Sequence, residues 1–183
     1  ISKAWVLVPR NEPCAITTGS TTDLKMVPSS SVDYIFTDPP FGGNLFYADL
    51  NSIWEGWLCI ATNDSVEAVV HRARTANPTT LGRYGHLMRA SFSEGYRVLK
   101  PGRWITVEFH NSSNAVWNTI QQSLTEAGFV VADIRTLDKK QGTFKQVTES
   151  HTVKQDLIIS AYKPNGGLED RFKLEAGTEE GAW

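Results

Sequence analysis

Val32-Asp33-Tyr34-Ile35-Phe36-Thr37-Asp38-Pro39-Pro40-Phe41 is the stretch on which the fold turns. Its first six residues are rich in β-branched and aromatic side chains and predict a buried strand over Val32–Thr37. The strand must stop at Asp38, because two prolines follow. Each proline locks φ and removes a backbone N–H. What remains at the strand end is a cluster of acceptors: the Asp38 carboxylate and the carbonyls of Pro39 and Pro40. Phe41 adds a flat face beside them. In open α/β sheets ligands bind beyond the carboxyl ends of strands, and this cluster suits a planar ring that carries an exocyclic amine.

Working outward, the flanks alternate between strand and helix patterns. Short apolar runs at 4–8 and 14–18 read as strands, and 42–46 as a glycine-containing loop. Residues 49–60 show Leu50, Ile53, Trp54, Trp57 and Leu58 at helical spacing, with Trp54 and Trp57 expected in the core. Residues 61–76 are polar and irregular. Asn77-Pro78 predicts a helix start, with Leu81, Tyr84, Met88, Phe92, Tyr96 and Leu99 on one face. Gly82, Gly85 and Gly95 weaken that helix, each by roughly 1 kcal/mol. Lys100-Pro101-Gly102 reads as a turn and Trp104–Phe109 as a strand. Asn114 is expected to cap a helix that carries Trp117, Ile120, Leu124 and Ala127 and stops at Gly128. Phe129–Leu137 and Asp156–Tyr162 read as strands with no helix between them, hence an antiparallel pair. The fold class expected is α/β: a Rossmann-like, mostly parallel sheet with a final antiparallel strand, covered on both faces. Residues 1–163 form the domain and 164–183 read as a mobile tail.

Composition narrows the class. The chain has 183 residues, 40% hydrophobic and 21% charged, an ordinary globular balance. A net charge of −2 gives no global pull toward nucleic acid, although a local patch can still supply one. Cys14 and Cys59 form no Cys-x-x-Cys pair and read as buried, reduced thiols of a cytoplasmic protein. His71, His86, His110 and His151 lack metal-ligand spacing, so no metal is expected. No run of eighteen apolar residues is present, so no membrane span is expected. The chain begins at Ile1 and reads as a piece of something larger.

The chemistry of Asp38-Pro39-Pro40-Phe41 follows from its acceptors. A ring amine is a weak nucleophile because its lone pair is delocalised. An ionised aspartate only accepts hydrogen bonds. If Asp38 takes one amino hydrogen and the Pro39 carbonyl the other, the nitrogen is drawn toward a pyramidal, more nucleophilic shape. Charge that builds on it during attack is stabilised by the same acceptors. Phe41 would stack on the ring, worth roughly 1–3 kcal/mol in nucleic-acid sites. A base inside a duplex must be flipped out to reach such a clamp. Chance alone produces this motif in roughly one chain of this length in several hundred.

With these residues in place the chain resembles the amino-methylating DNA methyltransferases, whose signature is Asp/Asn/Ser-Pro-Pro-aromatic after a buried strand. The segments 41–51, 54–58, 96–104 and 154–164 are similar to a group of large bacterial and archaeal DNA methylases. The resemblance covers roughly residues 14–164. It implies transfer of a methyl group from S-adenosylmethionine to DNA, with Asp38, Pro39, Pro40 and Phe41 as the catalytic residues. An acidic first position implies adenine N6 rather than cytosine N4. The family's sheet ends in an antiparallel strand, as read above. One departure is large: the family's glycine-rich cofactor loop has no counterpart here, and the first strands of the sheet are missing with it. The remainder of a larger methylase chain is therefore an expected partner, and this piece alone is expected to bind the cofactor poorly.

The resemblance also implies secondary sites. The basic segment 138–154 approaches the flipped base in the family, which makes Phe144 a second stacking residue and Lys139, Lys140 and Lys145 phosphate contacts; the alternative is a solvated loop. Gly19, Ser20, Thr37 and Asn44 are expected at the cofactor. Tyr47 and Asp49 shape the pocket or cap and pack. His110 and Asn111 lie at a strand end, where structural roles are expected. Two other functions stay open: methylation of RNA or a protein amide, and a non-catalytic methyltransferase-like module that binds nucleic acid.

Overall fold

A computed structural model describes residues 19–43, 47–61, 67–70, 78–111, 113–137 and 156–167. The runs at 4–8 and 14–18, the segment 138–154 and the tail beyond 167 lie outside them. In chain order the elements are β1 (Val32–Thr37), α1 (Tyr47–Leu58), α2 (Pro78–Val98), β2 (Leu99–Phe109), α3 (Asn114–Glu126), β3 (Val130–Leu137) and β4 (Asp156–Tyr162).

The strands form one sheet in the order β1-β2-β4-β3. β1 and β2 are parallel, with Ile35 opposite Ile105 and Thr37 opposite Val107. β4 enters between β2 and β3 and is antiparallel to both. The mostly parallel sheet with an antiparallel closing strand is the one expected. Register is set by the buried alternation Ile105, Val107, Phe109 against Ile159 and Ala161, because a one-residue slip would turn these side chains to the other face.

The core lies on one face. Tyr84, Met88 and Phe92 of α2 and Val116, Ile120 and Leu124 of α3 pack on the buried strand residues. The two helices approach closely at Gly85, where a Cβ would stand 2.9 Å from Thr119 Cγ2. The glycine that weakens α2 locally is thus what admits α3. Arg89 and Glu126 close the same seam at 2.9 Å.

Four expectations need correction. The sheet is not covered on both faces by the described residues: Tyr34, Phe36 and Trp104 are 54, 59 and 44% exposed on the second face, since both packed helices lie on the other side. Trp54 and Trp57 are not core residues but 69 and 84% exposed, because α1 buries none of its side chains. Lys100-Pro101-Gly102 does not end the chain direction; it bulges within β2, between the pairs Val32–Leu99 and Tyr34–Trp104, with Gly102 at φ +75° and its N–H bonded to the Lys163 carbonyl. Asn114 is the first residue of α3 rather than its cap, which is Ser113 with no side-chain cap bond.

The loop before β1 is fastened to α2 by one charged pair. Arg97 donates to the carbonyls of Leu24 and Val27 and to Ser29 Oγ, while Glu94 pairs with Arg97 and accepts from the Leu24 N–H at 2.8 Å. Arg97, then the Leu24 amide, lower the Glu94 carboxyl from its ordinary 4.5 to about 2. A depressed carboxyl stabilises the fold above its unfolded value and loses that contribution as pH falls through the folded one. Protection of the Leu24 amide against hydrogen exchange is therefore expected to persist at pH 5 and to fall away between about 4.5 and 2. Arg97→Ala should abolish that protection already at neutral pH.

Candidate active site

The site is built where the parallel pair β1–β2 ends. Asp38 stands exposed just past β1, Pro39 is buried, and Pro40 and Phe41 are half-buried. With two N–H groups removed by proline, the segment presents three successive carbonyls. Tyr84 of α2 donates its hydroxyl to the Pro40 carbonyl at 2.6 Å. Asn111, just beyond β2, donates its amide to the Phe41 carbonyl. No described residue donates to the Pro39 carbonyl. Asn111 is held in turn by the Ser113 N–H, 2.6 Å from its Oδ1, at the entry to α3.

The Phe41 ring is fixed edge-on against Phe109, with centroids 5.7 Å apart and planes at 86°. His110 stands on it at 6.1 Å and 62°. The next residue, Gly42, is buried with φ +73°, a conformation that favours glycine. A Cβ there would meet Val116 Cγ1 at 3.3 Å and Asn111 Nδ2 at 3.4 Å.

Tyr47 completes the rim. Burial, then the Asp38 charge, push its phenol above the ordinary range, while a hydrogen bond with the Phe41 backbone acts the other way. α1 is anchored beside it by Glu67, whose Oε1 accepts from the N–H groups of Tyr47 at 2.5 Å and Ala48 at 3.2 Å. A carboxylate at a helix N-terminus satisfies open donors and complements the dipole.

A cavity of about 320 Å³ runs from Asp38 and Pro39 between the loop before β1 and α2, lined also by Thr21, Leu24, Thr37 and Phe92. Of the residues expected at a cofactor, Thr37 lines it. Gly19 and Ser20 precede Thr21 on its far side, with Ser20 bonded to Thr22. Asn44, Lys139, Lys140, Phe144 and Lys145 lie outside the described residues. Among the described residues no His, Cys, Asp and Glu cluster could hold a metal, and no helix is long and apolar enough to cross a membrane.

Sequence reasoning missed Tyr84, Asn111 and Glu67 as parts of the site. Tyr84 was legible only as one member of a helical apolar face. Its spacing could not show that its hydroxyl reaches across to Pro40. Asn111 stood at a strand end, which was the available hint.

Gly42→Ala tests how tightly the motif is held. The left-handed backbone costs a non-glycine residue roughly 1–2 kcal/mol, and the new methyl crowds Asn111. We expect a lower thermal midpoint by circular dichroism.

Comparison with known proteins places the chain. The DNA methylase family profile matches residues 32–175. No curated protein matches it. Among solved structures, TTHA0409 of Thermus thermophilus, a presumed DNA modification methylase crystallised with S-adenosylmethionine, is 16% identical, with 81% of this chain and 54% of that chain aligned and a TM-score of 0.47. The M1.HpyAVI complex with the same cofactor is 16% identical over 75% and 47%, TM-score 0.39. The cyclase SpnF aligns at 13% identity over 82% and 57%, TM-score 0.46. The chain thus spans about half the length of these structures. The family match extends from β1 through the motif and beyond β4, and on that ground the chain belongs to the DNA methylase family, which takes its methyl group from S-adenosylmethionine.

Proposed function

We propose that Asp38-Pro39-Pro40-Phe41 holds the exocyclic amine of a base flipped out of DNA while that nitrogen is methylated. The observation that carries this reading is the pattern of carbonyl use. Pro40 and Phe41 have theirs occupied by Tyr84 and Asn111, which fixes the segment with the Asp38 carboxylate and the Pro39 carbonyl in succession at the end of β1. Two acceptors side by side match the two hydrogens of an amino group. With both engaged, the nitrogen lone pair is turned away from the protein toward an incoming methyl group. As the new N–C bond formed and the methyl group's bond to the donor sulfur broke, with the pair left on sulfur, positive charge on the nitrogen would be stabilised by Asp38, which would take one amino proton along that hydrogen bond. Phe41, locked on Phe109, would stack on the base. The acidic first residue of the motif supports adenine N6 as the target.

S-adenosylmethionine supplies the electrophilic methyl group when bound. Thr37 and Thr21 line a mostly apolar cavity that reaches Asp38, which supports them as contacts for the cofactor. Cys59 is exposed rather than buried as expected, and a free thiol at the surface suits a reducing cytoplasm.

The test is transfer of labelled methyl groups to unmethylated DNA by the full-length protein, followed by nucleoside analysis. Asp38→Ala should lose roughly 100-fold or more in kcat, the range seen when one charge-stabilising group is removed. Tyr84→Phe, which only releases the Pro40 carbonyl, should lose roughly tenfold. Label recovered as N4-methylcytosine would refute the adenine assignment. Wild-type activity in Asp38→Ala would refute the clamp.

A further inference from the structure

One ionisable pair beside the motif, a half-buried histidine and a buried aspartate, has no part in the clamp. Asp156, the first residue of β4, has a side chain only 5% exposed, and its Oδ1 lies 2.8 Å from Nδ1 of His110, itself 20% exposed. A carboxylate is rarely buried without a partner that repays its desolvation. The contact is at ion-pair distance rather than an aligned hydrogen bond, and a buried carboxylate packed on one ring nitrogen restricts how the imidazole can turn. The imidazole is set edge-on to Phe41, at 62° and 6.1 Å. A second ring constraint comes from Phe109 at 86° and 5.7 Å, whose ring lies over Trp117 at 6.2 Å. Asn111 holds the same residue by its backbone. Consecutive residues at the end of β2, 109 to 111, thus grip Phe41 by ring, ring and carbonyl.

We propose that His110 and Asp156 are positioning residues that set the ring plane of Phe41, and through it the angle at which a flipped base is presented. The inference rests on the reading of Phe41 as the stacking face. Asp156 lies against His110, and His110 and Phe109 both bear on the Phe41 ring. The chemical consequence is orientation, which weighs on turnover more than on capture of DNA. Misplacement of a reacting group by about 1 Å costs on the order of 100-fold in rate.

The full-length protein is compared as wild type, His110→Ala, His110→Asn, Asp156→Asn, Phe41→Leu and the double variant His110→Ala/Phe41→Leu. His110→Asn keeps a donor for Asp156 but lacks the ring edge, so it separates positioning from folding; thermal midpoints are measured alongside. Two readouts are used: kcat and KM on unmethylated DNA, and the ¹⁹F signal of 3-fluorophenylalanine placed at position 41, which reports whether the ring flips. The expected result is a roughly 10- to 100-fold fall in kcat for His110→Ala and His110→Asn with KM for DNA within about twofold, no further fall when His110→Ala is added to Phe41→Leu, and faster ring flipping in His110→Ala and Asp156→Asn. An equal fall of kcat in both backgrounds would overturn the proposal and make His110 act on the substrate directly. Unchanged ring flipping would overturn it as well. If the wild-type protein methylates no DNA, the functional reading fails by itself, and the ring signal still decides whether His110 positions Phe41.

Discussion

A backbone that has lost its donors but kept its carbonyls must find its partners elsewhere, and the segment 38–41 does so with side chains from distant elements. Buried carbonyls without partners are costly. Tyr84 answers one from the middle of α2, and Asn111 answers the next from the end of β2. Asn111 is itself tied to the start of α3 through Ser113. The strand end, the long helix and the following helix are thereby locked to one another at the motif. The rigidity of the acceptor cluster is a property of this network rather than of the two prolines alone.

The same arrangement divides the molecule into a packed side and an open side. Tyr84 and Phe109, which hold the motif, belong to the face carrying α2 and α3, where Ile105, Val107, Phe109, Ile159 and Ala161 are essentially inaccessible. On the second face Tyr34 bonds Thr106 across the parallel pair, and Trp104 leans on Tyr162 at 5.3 Å. These cross-strand contacts hold a surface that no described helix covers. α1 is of the same kind: anchored at its first turn by Glu67, it turns Ile53, Trp54, Trp57 and Leu58 outward.

Much of this was legible in the chain. β-branched and aromatic residues before a double proline leave few alternatives to a strand ending at Thr37, and the bounds of β1 and β4 agree with the sequence to the residue. Helical spacing located α1, α2 and α3 because amphipathic period is a local property. The same period misjudged Trp54 and Trp57, since it reports that a helix has an apolar face but not what, if anything, lies against it. The bulge at 100–102 was read as a turn because proline and glycine mark a break in pairing without stating whether the chain reverses.

By itself the sequence determined the order and type of the elements, the acceptor chemistry of Asp38-Pro39-Pro40-Phe41 and the family to which it pointed, all of which depend on neighbours in the chain. Only the tertiary structure decided that Tyr84 and Asn111 occupy the Pro40 and Phe41 carbonyls, and that Asp156 meets His110 where His110 touches Phe41. Those contacts join residues far apart in sequence. They exist because strand register and side-chain direction bring them to one end of one sheet, and no local pattern encodes that geometry.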